Sequence, residues 1–282
     1  MKPLHWKLRD RVIEMHRRPL VMGIINVTPD SFSDGGRYLD PIAAIEHGLL
    51  LCAEGADLLD IGGESTRPGA VEVPVDEELR RVLPVVRELA RQTHTPISID
   101  TMKPEVARKC LEAGAAVVND VAGFRDPEMA RVAAEHGAGA IVMHMRGTPQ
   151  TMQQNPQYDD VVRAIGEFFE VRLHELERLG ISPASVCLDP GIGFGKTLDH
   201  TLELLARLGE FARFGRPVCL GVSRKGFIGQ ICGRPRSDRL AGSLAIACFA
   251  AARGEAHVLR VHDVAATRDA ALLLEAVNNH RS

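Results

Sequence analysis

Five apolar runs in this 282-residue chain lead directly into a polar side chain that can bind or react. Asp100 and Asp189 end their runs, and Asp60, Asn119 and His144 follow theirs. A lone Asp after a strand commonly caps a helix. Capping explains this set poorly, because Asp189 and the Asn119-Asp120 pair run into glycine-containing loops rather than into helix starts. Carboxylates and a carboxamide gathered in one place suit a flat ligand with several N–H donors and a carbonyl, such as a pyrimidinone or pterin ring. An ionised Asp accepts a pair of N–H bonds from an amino-pyrimidinone edge, and each charge-assisted bond contributes about 1.5 to 3 kcal/mol.

The last two runs carry groups of the opposite charge. Ser223-Arg224-Lys225 follows one, and Arg260-Val261-His262 ends the other. Positions 260 and 262 share a strand face. These residues read either as salt bridges at helix starts or as an anion site, the usual use of the loops after strands seven and eight of a barrel. Thr66-Arg67-Pro68-Gly69-Ala70 places a guanidinium over the same mouth, although a solvated loop arginine is an equal reading of Arg67. Thr28 to Gly36, with Phe32 among Ser, Asp and Gly, has the composition of a mobile lid.

Leu188 to Thr197 resembles a phosphate loop, but counting back from Gly195-Lys196-Thr197 puts Pro190 where the first glycine belongs. Proline has no N–H to offer a phosphate oxygen. The stretch reads instead as a strand delivering Asp189 into a site, and Lys196 is expected to do least there.

Strand ends converge only if the strands are parallel and neighbouring. The run Leu20–Val27 is apolar with little alternation, as in a parallel strand buried on both faces. Helical patterns at 41–54, 76–92, 104–113, 127–136, 158–179, 199–213, 238–253 and 264–277 alternate with strands ending near 62, 100, 120, 145, 189, 223 and 263. Eight strand-helix units predict an α/β fold, a single (β/α)8 TIM barrel with its site at the C-terminal ends of the strands. An open doubly wound sheet is the alternative, with functional groups on a few strand ends only. Loops 28–40, 64–75 and 146–157 are long and all follow strands, which favours the barrel. Residues 1–18 form a lead-in segment expected to cover the bottom of the core, and 19–282 form the barrel.

Composition narrows the function classes. The formal net charge is -3 with scattered Lys and Arg, so no basic stripe points to nucleic acid. Six cysteines without a CxxC pair suggest reduced thiols in a cytoplasmic protein. Residues 1–18 lack the apolar region of a signal peptide. The longest apolar run, Leu244–Ala252, has nine residues and is too short to span a bilayer.

Eight segments in order then carry a resemblance to the dihydropteroate synthase family, the sulfonamide targets of folate biosynthesis. They are Asn26–Gly36, Asp60–Gly69, Ser98–Thr101, Asn119-Asp120, Met143–Met145, Leu188–Thr197, Ser223–Lys225 and Arg260–Asp263. The resemblance implies a transferase joining 6-hydroxymethyl-7,8-dihydropterin pyrophosphate to p-aminobenzoate with Mg²⁺. By it, Asp100, Asn119, Asp189 and Lys225 hold the pterin, with Met143 on one face and Arg260 on the other, and Asp60 among the substrate-binding groups. Asn26, Arg67, Arg260 and His262 hold the pyrophosphate, and Mg²⁺ bridges it to Asn26. Thr66, Arg67, Pro68, Phe194, Ser223 and Lys225 surround the aminobenzoate, with Phe32 closing over it. Asp100, Asp189, Lys225, Arg260 and His262 form the catalytic set. The family is commonly dimeric, which suggests the apolar stretch Leu240 to Ala252 as an interface. Two alternatives stay open: a corrinoid-type methyltransferase with the same pterin floor, and a pterin-binding paralogue without activity.

Overall fold

The computed structural model describes residues 4–16, 18–28, 41–67 and 69–280. They open on an antiparallel hairpin, β1 (Leu4–Lys7) and β2 (Val12–Met15). Eight parallel strands follow: β3 (Leu20–Asn26), β4 (Leu58–Gly62), β5 (Ile97–Asp100), β6 (Val117–Asp120), β7 (Gly139–Met143), β8 (Val186–Asp189), β9 (Cys219–Leu220) and β10 (Val258–Val261). Their order is β8-β7-β6-β5-β4-β3-β10-β9, and a bridge between Leu188 and Val218 joins the two ends. That bridge makes the sheet a barrel and excludes the open doubly wound alternative.

The strand period of two sorts each apolar run into two faces. Val21, Ile25, Leu59, Ile61, Ile99, Val118, Val142, Leu188 and Leu259 belong to the core shared with the helices. Met22, Leu58, Val117, Ile141, Cys187, Cys219 and Val258 form a separate cluster inside the lower barrel. The surrounding helices are α1 (Pro41–Ala53), α2 (Val75–Gln92), α3 (Pro104–Glu112), α4 (Pro127–Glu135), α5 (Val161–Arg178), α6 (Leu198–Ala206), α7 (Gly226–Cys232), α8 (Leu240–Ala252) and α9 (Val264–Asn279).

Local chemistry sets several of these boundaries. α1, α3 and α4 begin with Pro, whose missing N–H costs nothing at a first turn. α5 starts at Val161 rather than 158 because the Asp160 side chain caps it, accepting from the Arg163 N–H at 2.8 Å. The expected helix 199–213 ends early; Leu208–Phe214 is a 3₁₀ stretch stopped by left-handed Gly215. α7 was not foreseen, being a seven-residue helix with two glycines and no side-chain cap.

The hairpin closes the barrel from below. Trp6, Leu8 and Met15 join the lower cluster, and Trp6 Nε1 donates to the Ser185 carbonyl at 2.9 Å. Gly139 lies against the hairpin, and a Cβ there would come 2.6 Å from Leu8 Cδ2, so a larger residue would require that side chain to shift. Trp6→Ala is expected to lower unfolding free energy by about 3 to 5 kcal/mol. Urea unfolding followed by circular dichroism measures this, and a loss below about 1 kcal/mol, within the range of an ordinary surface change, would show that the hairpin is only loosely attached.

Candidate active site

Moving two residues up each strand from the lower cluster keeps the side chain inside the barrel and changes its chemistry. Leu58 gives way to Asp60, Val117 to Asn119, Ile141 to Met143, Cys187 to Asp189 and Val258 to Arg260. Strand register puts Asp100 beside Asn119 and Met143 beside Asp189. The barrel is therefore apolar below and polar above, with the change of character falling inside single strands.

Arg260 lies at the centre of this upper layer. Its Nε is 2.5 Å from Asp60 Oδ2 and its Nη2 is 2.6 Å from Asp100 Oδ2. Burial opposes the guanidinium charge, but the two carboxylates outweigh it and raise the pKa. Burial also pushes Asp100 up to about 7, with Asp60 and Glu78 adding to the rise and Arg260 resisting it. Asn119 Nδ2 donates to Asp60 Oδ2 at 3.1 Å, which leaves the Asn119 carboxamide oxygen for a ligand. Asp189 Oδ1 accepts from the Gly191 N–H at 2.7 Å, and burial raises its pKa.

Two cavities with shared lining residues open above this layer. The inner, of about 20 Å³, is lined by Asp100, Asn119, Met143, Asp189, Lys225 and Arg260 among others. The outer, of about 300 Å³, includes Asn26, Thr28, Ser223, Arg236 and His262. Thr66, Asp100, Phe194, Gly221, Lys225 and Arg260 line both. Lys225 Nζ sits 4.2 Å from the Phe194 ring centroid, and burial together with Arg260 pulls its pKa down to about 8.

The structure brings Asn26, Thr66, Arg67, Asp100, Asn119, Met143, Asp189, Phe194, Ser223, Lys225, Arg260 and His262 to these cavities. Phe32 and Pro68 lie outside the described residues. Asp60 is fully buried, lines neither cavity and holds Arg260 and Asn119 from beneath. His262 lines the outer cavity with Arg260. Burial first, then Arg260 and Arg224, drop its pKa to about 3, so the imidazole is neutral. The Ser223 hydroxyl accepts from the His262 backbone N–H at 3.2 Å and lies 3.0 Å from Nδ1. Where that hydroxyl donates to Nδ1, Nε2 keeps the proton and His262 offers the cavity an N–H rather than a charge. Arg224 is paired with Asp263, so salt bridging accounts for it.

Two groups escaped the sequence reading. Lys103 Nζ lies 2.5 Å from Glu64 Oε2 and 2.6 Å from Glu78 Oε2, while Glu64 Oε1 accepts from the Val73 N–H at 3.0 Å. This ties the loop bearing Thr66 and Arg67 to α2 and to the start of α3. The available signal was Glu78, an acidic residue four positions before Val82 on the core face of α2. Lys196, expected to do least, is buried with its Nζ 2.9 Å from the Phe194 carbonyl.

Comparison with known proteins agrees with this geometry. The model of the family described as pterin binding enzyme matches residues 22–262. Dihydropteroate synthase of Escherichia coli K12 is 49% identical over 258 residues, covering 92% of this chain and 91% of that protein. A crystal structure of Yersinia pestis dihydropteroate synthase with a sulfonamide drug complex superposes with a TM-score of 0.93 at 43% identity, covering 98% of this chain and 100% of the other. The Xanthomonas albilineans enzyme in complex with 7,8-dihydropteroate gives 0.88 at 46% identity, covering 97% and 98%. A polar layer of this kind inside a barrel, matched over nearly its whole length by those relatives, places the chain in the dihydropteroate synthase family of pterin-binding enzymes.

Proposed function

We propose that this chain condenses 6-hydroxymethyl-7,8-dihydropterin pyrophosphate with p-aminobenzoate, releasing pyrophosphate and forming 7,8-dihydropteroate. The carrying observation is the pair of cavities, an inner one ringed by Asp100, Asn119 and Asp189 and an outer one edged by Arg67, Lys225 and Arg260. Acceptors below suit the amino-pyrimidinone edge of a pterin; cations above suit a diphosphate. No methyl-transfer chemistry needs that basic edge.

The amino-pyrimidinone edge of the pterin reaches into the inner cavity while the rest of the ring lies along the wall shared with the outer one, between Met143 and Arg260, with its N–H groups on Asp189 and Asp100 and its carbonyl toward Lys225. The diphosphate then lies against Arg67, Arg260, Asn26 and the His262 N–H. Among the described residues no three His, Cys, Asp or Glu gather as metal ligands. Mg²⁺ commonly takes one or two protein oxygens and completes its shell with phosphate oxygens and water. The Asn26 carboxamide beside the diphosphate fits an ion shared in that way. When bound, Mg²⁺ would neutralise charge on the leaving group.

The reacting carbon is a CH₂ on a ring that spreads positive charge, so the C–O bond can break before the weak aniline nucleophile attacks. The task of the protein is electrostatic: carboxylates steady the cationic pterin, and the basic edge steadies the departing diphosphate. Thr66, Arg67, Phe194, Ser223 and Lys225 hold the aminobenzoate in line above it. A single-turnover mixture of enzyme and pterin pyrophosphate is expected to release some pyrophosphate without aminobenzoate, and turnover is expected only with it. Complete absence of release without aminobenzoate removes the dissociative order; absence with both substrates removes the function.

The pH dependence follows from Asp100 and Lys225. Asp100 offers charged acceptors on both oxygens only when ionised, and as pH falls below about 7 it gains a proton that turns one acceptor into a donor. Lys225 is a cation only below about 8. The profile of kcat/KM for pterin pyrophosphate is therefore expected to be bell-shaped, with its maximum between those values. An acid limb that persists unchanged in Asp100→Asn would reassign it to another group.

Two further properties belong to this reading. The six cysteines are free thiols, which supports a reducing cytoplasm as the working compartment, a placement that cell fractionation checks. α8 and α9 expose Leu240, Phe249, Leu272, Leu273 and Val277, an apolar surface suited to a second copy of the chain. Sedimentation is expected to give about twice the 30.7 kDa chain mass, and a monomer at micromolar concentration would remove the dimer.

A further inference from the structure

In a phosphate loop, successive N–H groups are turned inward toward an anion. The loop after Asp189 has the turns for such a cradle, with left-handed glycines at 191 (φ 68°), 193 (φ 81°) and 195 (φ 65°). Its centre holds a cation from the chain itself. Lys196, 4% exposed, places Nζ 2.9 Å from the Phe194 carbonyl, 3.4 Å from the His144 carbonyl and 3.1 Å from His144 Nδ1. An ammonium has three donors, and these are three acceptors. His144 can accept because burial and the nearby Lys196 keep its imidazole neutral. Burial also lowers the Lys196 pKa to about 7, with Asp189 resisting and Lys225 adding to the fall. An amine this deeply placed loses hydration, so its position reflects what it holds.

What it holds is the backbone of Phe194 from one side, while the Gly191 carbonyl holds the other by accepting from the Phe194 N–H at 3.0 Å. Gly191 is itself pressed onto the end of β7, where a Cβ would come within 1.9 Å of the His144 carbonyl oxygen. The Phe194 ring leaves this clamp to line both cavities beside Lys225.

We propose that Lys196 is a positioning residue for the second substrate, an aromatic amine, and that it acts through Phe194 by fixing the ring that forms one wall of that substrate's place. This rests on the function proposed above. Lys196 lines neither cavity; Phe194 lines both, and its ring lies against Lys225 on the wall assigned to the aminobenzoate, so the effect is expected to fall mainly on that substrate.

The test is a double-mutant cycle of Lys196→Met and Phe194→Ala, read as steady-state constants for each substrate. Methionine keeps the apolar stem and removes the three donors. Each single variant is expected to raise KM for aminobenzoate about tenfold, the scale of one charge-assisted hydrogen bond. KM for pterin pyrophosphate and kcat are expected to stay within about twofold in Lys196→Met, and the double variant should be no worse than Phe194→Ala. Multiplying effects on KM, or an equal loss for both substrates, overturns the role. If thermal melting shows that Lys196→Met does not fold, the same cycle is read with Lys196→Gln, which keeps an N–H donor. A wild-type chain that makes no dihydropteroate overturns the reading of the site itself, whereas an active wild type with multiplying variants overturns Lys196 alone.

Discussion

A guanidinium between two carboxylates, buried where the barrel changes from apolar to polar, is the constraint on which the site depends. Arg260 joins β10 to β4 and β5 through Asp60 and Asp100. Desolvating each ion costs several kcal/mol, and the arrangement is stable only because each finds its partner in place. With Asp100 ionised, the three charges sum to minus one. Asp189 adds another acceptor across the cavity, so the floor keeps an excess of acceptors for a ligand rich in N–H groups. Asp60 spends its Oδ2 on Arg260 and Asn119 and has a buried Oδ1 without a partner, which marks it as a support under the floor rather than part of its surface.

Much of the barrel and the identity of the polar layer were legible because parallel strands impose a simple rule. A run buried on both faces announces itself by continuous hydrophobicity, and its last residues project into the site by period-two alternation. That rule delivers the face of Asp60 or Arg260 but not its depth. Asp60 and Asp100 look equivalent in sequence, yet one lies under Arg260 and the other beside the ligand space. Charge state is hidden for the same reason: His262 follows a strand just as a cationic histidine could, and only burial beside two arginines makes it neutral.

Other parts were illegible because their partners are far apart in the chain. Lys196 meets His144 across 52 residues, and Trp6 meets Ser185 across 179. In the first case the local pattern misled, since a glycine loop ending in Gly-Lys-Thr suggests an anion while the fold turns the lysine inward. In the second, residues 4–15 read as polar overall, and the strand alternation that buries Trp6 between exposed His5 and Lys7 covers too few residues to stand out.

The Trp6 hairpin also determines traffic. The hairpin fills the lower end of the barrel, and among the described residues the inner and outer cavities share Phe194, Lys225 and Arg260 along their common wall. On the proposed function, a molecule seated above bars the way to the space beneath. The pterin would then have to be seated before the aromatic amine, and the diphosphate, placed against the outer cavity, could leave while the joined product is still lodged below. A stopper at one end turns a symmetrical tube into a queue.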